Sequence, residues 1–364
     1  MVSAATTPPP IAWYGGSFAY YDEDSTPPPS DADLDAAAGQ ARDERTANFT
    51  LDQFGPEPGG DGKVGVVLGR FLPVHDGHRY LIEFALAHVA ELHIFVRVGD
   101  DDPIPFDVRR AWLLELFPGT AVTPVEGERE QWPERILAEV RPDYLFSGEP
   151  DGPGTAARLG AECIPVNRHL LLVSGTGIRK SPWDYERFLP PPVRAWYAAR
   201  VCLIGAESTG KTTLAEGLAR HYDTVWVPER LRELGPDITP ATIALAARGQ
   251  SAAEDLMARR AHRLVFTDTD LLAVRLWSMR LFGAAPPWLQ TPEPAHLYLL
   301  CAPDRQFSGD IRRNTPAERL AFHEAIEAEL VRLGRPYVTL EGDDDQRLTR
   351  AVAAVDDLRR QLWG

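Results

Sequence analysis

Cysteine is scarce in this chain of 364 residues, which has only Cys163, Cys202 and Cys301, far apart and without metal-ligand spacing. Each lies in an apolar, strand-like run, which predicts buried reduced thiols rather than disulfides or a thiolate metal site. No run of about 18 apolar residues occurs, and no basic stretch leads into an apolar one at the start, so neither a membrane span nor a secretory leader is expected. Basic side chains are also in deficit, with 38 Lys and Arg against 53 Asp and Glu and a net charge of −15. That balance gives no general attraction to nucleic acid or to an acidic membrane, so an anionic substrate must be held by local arginines and lysines. A cytoplasmic protein with neither nucleic acid nor membrane as a partner is the expectation. At 44% hydrophobic the chain can build ordinary cores, in two or three domains.

Proline, in contrast, is concentrated near the start, with Pro8 to Pro10 and Pro27 to Pro29 set among acidic and small residues. This composition predicts a largely irregular segment over residues 1–62. The aromatic stretch Ile11-Ala12-Trp13-Tyr14, with Phe18, Tyr20 and Tyr21, either docks on the folded body or stays irregular; the residues leave both open.

The strongest local signal is Gly205-Ala206-Glu207-Ser208-Thr209-Gly210-Lys211-Thr212, which follows the apolar run Val201 to Ile204 and precedes the helix-like Thr213 to Ala219. Strand, glycine loop and helix in that order form a P-loop pattern. The backbone N–H groups of Gly205, Glu207, Ser208, Thr209 and Gly210 would wrap a polyphosphate, and the helix N-terminus at Thr212 and Thr213 adds positive potential. Lys211 would bridge the β- and γ-phosphates of ATP or GTP, and the Thr212 hydroxyl would ligate Mg²⁺.

A second strand-to-helix junction lies upstream. The run Val64 to Gly69 reads as a buried strand and leads through Arg70-Phe71-x-Pro73 to His75-x-Gly77-His78 at the head of an amphipathic helix. Two imidazoles three residues apart, with a glycine permitting close backbone approach, can hydrogen-bond phosphate oxygens. Further strand candidates at Leu92 to Val98, Tyr144 to Phe146 and Cys163 to Val166 alternate with helical patterns at Val108 to Phe117 and Glu134 to Val140. Later candidates are Thr224 to Val227, Leu264 to Thr267, Leu297 to Cys301 and Pro336 to Leu340, with a last helix from about Asp345 to Leu362. Alternation of this kind predicts an α/β protein of two doubly wound parallel-sheet domains, over 63–182 and 200–364, joined by a proline-rich linker at 183–199.

The His75-x-Gly77-His78 segment resembles the His/Thr-x-Gly-His motif of the nucleotidyltransferase α/β-phosphodiesterase superfamily, and Ser174-Gly175-Thr176-Gly177-Ile178-Arg179 resembles its downstream Ser-x-Thr-x-x-Arg motif. The resemblance implies a Rossmann-like domain that transfers a nucleotidyl group from ATP and releases pyrophosphate. His75 and His78 would contact the triphosphate, and Ser174, Thr176 and Arg179 would hold the leaving β- and γ-phosphates. Gly69, Arg70, Phe71 and Gly77 complete the implied ATP site. Such a domain followed by Ser181-Pro182-x-x-Tyr185-x-x-Phe188-Leu189-Pro190, then by the P-loop, is similar to the bifunctional nicotinamide-mononucleotide adenylyltransferase/ribosylnicotinamide kinase (NadR) family from about residue 63 to the end. Ser147-Gly148-Glu149-Pro150 and Thr267-Asp268-Thr269-Asp270 add to the likeness.

This resemblance implies that ribosylnicotinamide is phosphorylated to NMN in the P-loop domain and that NMN is adenylylated to NAD in the first, with ATP as co-substrate and Mg²⁺ as cofactor. Members that also regulate transcription carry an N-terminal helix-turn-helix domain. Residues 1–62 do not resemble one, and no DNA binding is expected. Trp132 is the candidate for aromatic stacking on the pyridine ring, with a plain core role as its alternative. In the kinase site Asp268 follows a strand as a Walker B carboxylate would, and serves as the metal candidate with Thr212. The base for the attacking hydroxyl is either Glu229 or Asp270, and Arg312 then Arg313 are candidates for a lid over the phosphates. The alternative function is an NMN adenylyltransferase whose P-loop domain is regulatory or takes another substrate. A homo-oligomer is left open.

Overall fold

The computed structural model describes residues 62–167, 170–234, 238–290, 293–304 and 315–364. In chain order the strands are β1 (Val64–Gly69), β2 (Glu91–Arg97), β3 (Ala121–Val125), β4 (Tyr144–Ser147) and β5 (Glu162–Pro165), then β6 (Ala199–Gly205), β7 (Val225–Val227), β8 (Leu264–Asp268), β9 (Leu297–Cys301) and β10 (Tyr337–Leu340). The helices are α1 (Asp76–Leu86), α2 (Phe106–Leu116), α3 (Trp132–Glu139), α4 (Gly152–Leu159), α5 (Gly175–Lys180) and α6 (Pro191–Tyr197), then α7 (Lys211–His221), α8 (Arg230–Glu233), α9 (Pro240–Ala258), α10 (Leu271–Phe282), α11 (Pro316–Arg332) and α12 (Asp344–Trp363).

Two five-stranded sheets result, ordered β3-β2-β1-β4-β5 and β10-β9-β6-β8-β7, and every pairing in both is parallel. Parallel strands need crossover helices on the sheet faces, which explains why the central strands read as unbroken apolar runs. Val66 and Val67 of β1 and Val201 to Ile204 of β6 are wholly buried. In each sheet the chain leaves the central strand first to one side and later to the other. The resulting crevices lie at the carboxyl ends of β1 and β6, where ligands of such sheets bind. Strand β3 has no counterpart among the sequence expectations: it is a five-residue edge strand with Pro124 in it, and an edge is where a sheet tolerates proline.

The segment between the sheets belongs to both cores. Leu189 and Val193 pack with Val74, Ile82 and Trp112 of the first. Trp183, Ala195 and Ala198 pack with Val227, Ala258 and Val265 of the second. Trp196 also meets Trp112 edge to face, with ring centroids 6.0 Å apart, and Arg259 of the second lobe forks onto Glu115 of the first. Among the described residues no helix is long and apolar enough to cross a membrane.

Candidate active sites

The first site opens where β1 ends. Its strand cannot continue past Gly69, because Phe71 adopts a left-handed backbone with φ of 51°, and the chain turns down to His75, the residue preceding α1. A side chain at Gly77 would come within 3.0 Å of the His75 ring, so glycine there leaves the imidazole its place. The rings of His75 and His78 stack with centroids 3.8 Å apart, and Phe71 leans on His78 at 4.8 Å. Burial lowers the pKa of His75 to about 4. Burial, with His75 and Arg97 nearby, holds His78 well below the ordinary histidine range. Both are therefore neutral near pH 7, and Nδ1 of each is buried without a partner. A polar atom in that state is completed only by a ligand or a water.

Facing them is α5. Ser174 caps it, its Oγ accepting from the Gly177 N–H at 3.1 Å. Gly175 is pressed so close to the turn after β1 that a Cβ there would stand 2.3 Å from the Leu72 carbonyl oxygen. Arg179 donates to that same carbonyl and, at 3.3 Å, to Thr176 Oγ1. Arg179 and the Gly175 backbone thus hold the helix that carries Ser174 and Thr176 against the turn after β1, from more than 90 residues downstream.

On the other side of β1, Arg97 at the end of β2 lies over the Trp132 ring with its guanidinium carbon 5.1 Å from the centroid. Trp132 donates its N–H to the Gly127 carbonyl at 3.0 Å, which fixes the ring's orientation. The sequence reading missed the residue that organises this edge. Arg109 is wholly buried and donates to the backbone carbonyls of Arg70 at 2.7 Å and Arg97 at 3.1 Å, while its other arm meets Asp102 at 2.8 Å. It ties the ends of β1 and β2 together, and Arg70 shares Asp102 with it.

The second site sits at the end of β6. Gly205 (φ 152°), Ser208 (φ 56°) and Gly210 (φ 83°) give the loop its curl; a Cβ at Gly205 would lie 2.6 Å from the Cys301 carbonyl oxygen. Thr209 and Lys211 both donate to the Ala206 carbonyl at 2.9 Å. Lys211, at the start of α7, is held in a nearly closed position, 6% exposed. Thr213 follows on the same helix, and Glu207 and Ser208 turn their carbonyls toward Arg319.

Around the loop, Thr212 donates to one oxygen of Asp268, and the other oxygen of that wholly buried carboxylate has no partner. Arg232 donates to Thr212 Oγ1 at 3.0 Å and to Glu229 at 2.9 Å. Burial raises the pKa of Glu229, opposed by Lys211 and Arg232 and reinforced by Asp268. Asp270 is placed differently. One of its oxygens caps α10 by accepting from the Leu272 and Ala273 N–H groups, and the other accepts the Tyr298 hydroxyl at 2.7 Å. Both oxygens are engaged in holding the fold. Arg312 and Arg313 lie outside the described residues.

Two further arginines were not expected. Arg319 of α11 donates to the Glu207 carbonyl at 3.0 Å, and Arg347 of α12 to the Thr209 and Ala302 carbonyls at 2.9 and 3.0 Å and to Asp304. Both are nearly wholly buried and brace the phosphate loop from behind. Among the described residues no group of three or more His, Cys, Asp or Glu side chains could hold a metal by itself. A cation at Thr212 and Asp268 must therefore take its other ligands from a nucleotide and water.

A family model described as an AAA domain matches residues 200–347. The chain is 27% identical over 341 residues to the trifunctional NAD biosynthesis/regulator protein NadR of Escherichia coli strain K12, covering 81% of this chain and 83% of that protein. The same figures hold for the protein of that name from Salmonella typhimurium strain LT2. A shorter match, 35% identical over 80 residues, joins 19% of this chain to 37% of a probable nicotinate-nucleotide adenylyltransferase of Gluconacetobacter diazotrophicus. Among solved structures, the NadR protein in complex with NR aligns with a TM-score of 0.62 at 22% identity, over 82% of this chain and 97% of that one. The NadR protein in complex with NAD and AMP-PNP aligns at 0.64 and 21%, over 85% and 99%. The fold of these proteins is the two-sheet arrangement seen here, and the chain resembles the NadR proteins along both lobes.

Proposed function

We propose that the chain makes NAD in two steps: ribosylnicotinamide plus ATP gives NMN plus ADP at residues 200–364, and NMN plus ATP gives NAD plus pyrophosphate at residues 63–182, with 183–199 as the join. The observation that carries the reading is two separate glycine-shaped turns, each at the carboxyl end of the central strand of its own parallel sheet. Similarity to proteins named for NAD biosynthesis across both lobes supports the choice of substrates.

In the kinase site Glu229 is the base, because both oxygens of Asp270 are engaged. Glu229 accepts the proton of the substrate 5′-hydroxyl as that oxygen bonds to the γ-phosphorus and ADP departs. Lys211 turns from the Ala206 carbonyl to the β- and γ-phosphates. The partnerless oxygen of Asp268, beside the Thr212 hydroxyl, fits Mg²⁺, which when bound withdraws negative charge from those phosphates. In the first site the NMN phosphate attacks the α-phosphorus of ATP in line and pyrophosphate leaves, so no protein nucleophile is needed. His75 and His78 orient the triphosphate as neutral rings, and Ser174, Thr176 and Arg179 neutralise the leaving phosphates. Trp132 stacks on the pyridine ring.

The test is chromatography of products after the protein is mixed with ribosylnicotinamide, ATP and Mg²⁺. Wild type is expected to form NAD, His78→Ala to stop at NMN, and Lys211→Ala to form neither. If Lys211→Ala still releases ADP in proportion to ribosylnicotinamide consumed, the kinase assignment fails; if wild type does not convert added NMN to NAD, the transferase assignment fails.

A further inference from the structure

Gln250 interrupts the apolar stripe of α9. Ile243, Ala246, Ala247 and Ala258 are the other buried residues of that helix, and Gln250 stands among them 1% exposed. A buried carboxamide is costly unless its polar atoms are met, and here both are. The oxygen accepts the Arg230 N–H at 3.2 Å, while the nitrogen donates to the Thr269 carbonyl at 3.2 Å and to Glu254 at 2.8 Å. Arg230 follows Glu229 in the chain, and Thr269 follows Asp268. One side chain therefore grips the residue next to each carboxylate of the kinase site.

The grip on Thr269 bears on where those carboxylates point. Thr269 is β-branched and buried, yet its backbone is left-handed at φ of 67°, a conformation that persists only where its surroundings impose it. Two bonds do so: its N–H donates to the Leu203 carbonyl at 2.9 Å, and its own carbonyl accepts from Gln250. Had β8 run on, Asp268 and Asp270 would share one face of the strand. The kink between them instead sends Asp268 to Thr212, and Asp270 to Tyr298 and the head of α10.

We infer, on the kinase reading of residues 200–364, that Gln250 is a positioning residue for phosphoryl transfer. By holding Thr269 and Arg230 at once, it fixes the span between the metal carboxylate Asp268 and the base Glu229. Its bonds are to protein groups, so it acts through those two carboxylates.

Gln250→Met keeps the length of the side chain and removes all three bonds. Gln250→Glu keeps an acceptor for Arg230 and loses the donor to Thr269, and Thr269→Gly makes the left-handed turn free of strain. The melting temperature is the folding check for each. In ADP formation from ribosylnicotinamide, Gln250→Met is expected to lose about ten-fold or more in kcat with KM within about two-fold. Adding Thr269→Gly should win back about three-fold or more of that loss. In calorimetric titration with AMP-PNP, on a His78→Ala background that weakens the first site, half-maximal binding should need about ten-fold more Mg²⁺ in Gln250→Met and in Gln250→Glu. Wild-type kcat and Mg²⁺ dependence in the Gln250 variants, with or without a lower melting temperature, overturns the inference. So does a loss of kcat that Thr269→Gly leaves unchanged, which would make Gln250 a packing residue only. If wild type releases no ADP with ribosylnicotinamide, the kinase reading fails by itself, and the Mg²⁺ titration still decides whether Gln250 governs Asp268.

Discussion

Thr212 gives its hydroxyl hydrogen to Asp268, and the second oxygen of that carboxylate is sealed in the protein with nothing to accept from. A buried carboxylate left half satisfied is costly unless a cation completes it. Asp268→Asn is expected to lower ADP formation from ribosylnicotinamide by about 100-fold or more. Its Mg²⁺ requirement should shift to higher concentration. Conversion of added NMN to NAD should be untouched, which separates loss of the kinase site from loss of the fold.

Glu229 must be ionised to take a proton, and burial raises its pKa above the ordinary carboxyl value of 4.5. The acid limb of the kinase pH profile should therefore fall at a higher pH than an exposed glutamate would give. Glu229→Gln should remove that limb together with most of the rate, as read from kcat/KM for ribosylnicotinamide across pH.

His75 binds a proton with a pKa of about 4 when folded and 6.5 when not. Between those values the unfolded chain holds more protons, so stability rises with pH across that window, is fully present above 6.5, and is lost as pH falls toward 4. The difference amounts to roughly 3 kcal/mol for this one group, and His78 acts in the same direction. Urea denaturation at about pH 5 and about pH 7.5 should show the loss, and His75→Gln should make it smaller.

Arg347 serves four acceptors at once, the Gly342, Thr209 and Ala302 carbonyls and Asp304. Arg347→Met should leave the Thr209 and Ala302 carbonyls unpaired, costing about 2–3 kcal/mol, and should raise the KM for ATP in the kinase reaction. Lys211→Ala should do the reverse, with a large loss of rate and little change in melting temperature.

Gly175 has no room for a methyl group against the Leu72 carbonyl. Gly175→Ala should push α5 away from the histidine turn, at a cost of about 1–3 kcal/mol. NAD formation from NMN should drop while ADP formation from ribosylnicotinamide persists.

The two glycine turns at the ends of β1 and β6 were readable because their motif residues lie within a few positions of one another, and local spacing survives in one dimension. The expected alternation of strands and helices likewise corresponds to two parallel sheets. What was not read were residues whose role depends on reach. Arg109, Arg319 and Arg347 each occupy the apolar stripe of a helix, alongside Trp112 and Leu113, Phe322 and Ile326, or Ala351 and Val355. A guanidinium at a core position is a signal that a buried backbone is being paired, and it was there to be noticed. Nothing local tells Glu229 from Asp270, both carboxylates following a strand. The difference comes from Tyr298, a residue on another strand, which claims the free oxygen of Asp270.

The segment carrying Trp183, Leu189, Val193 and Ala195 lends side chains to both apolar interiors. A chain cut there would strip each half of part of its filling and leave indole and valine surface facing water. The two halves are thus expected to melt in one calorimetric transition, and either half expressed alone to aggregate. On that expectation neither half carries a complete interior of its own, and the segment between them is filling as much as it is connection.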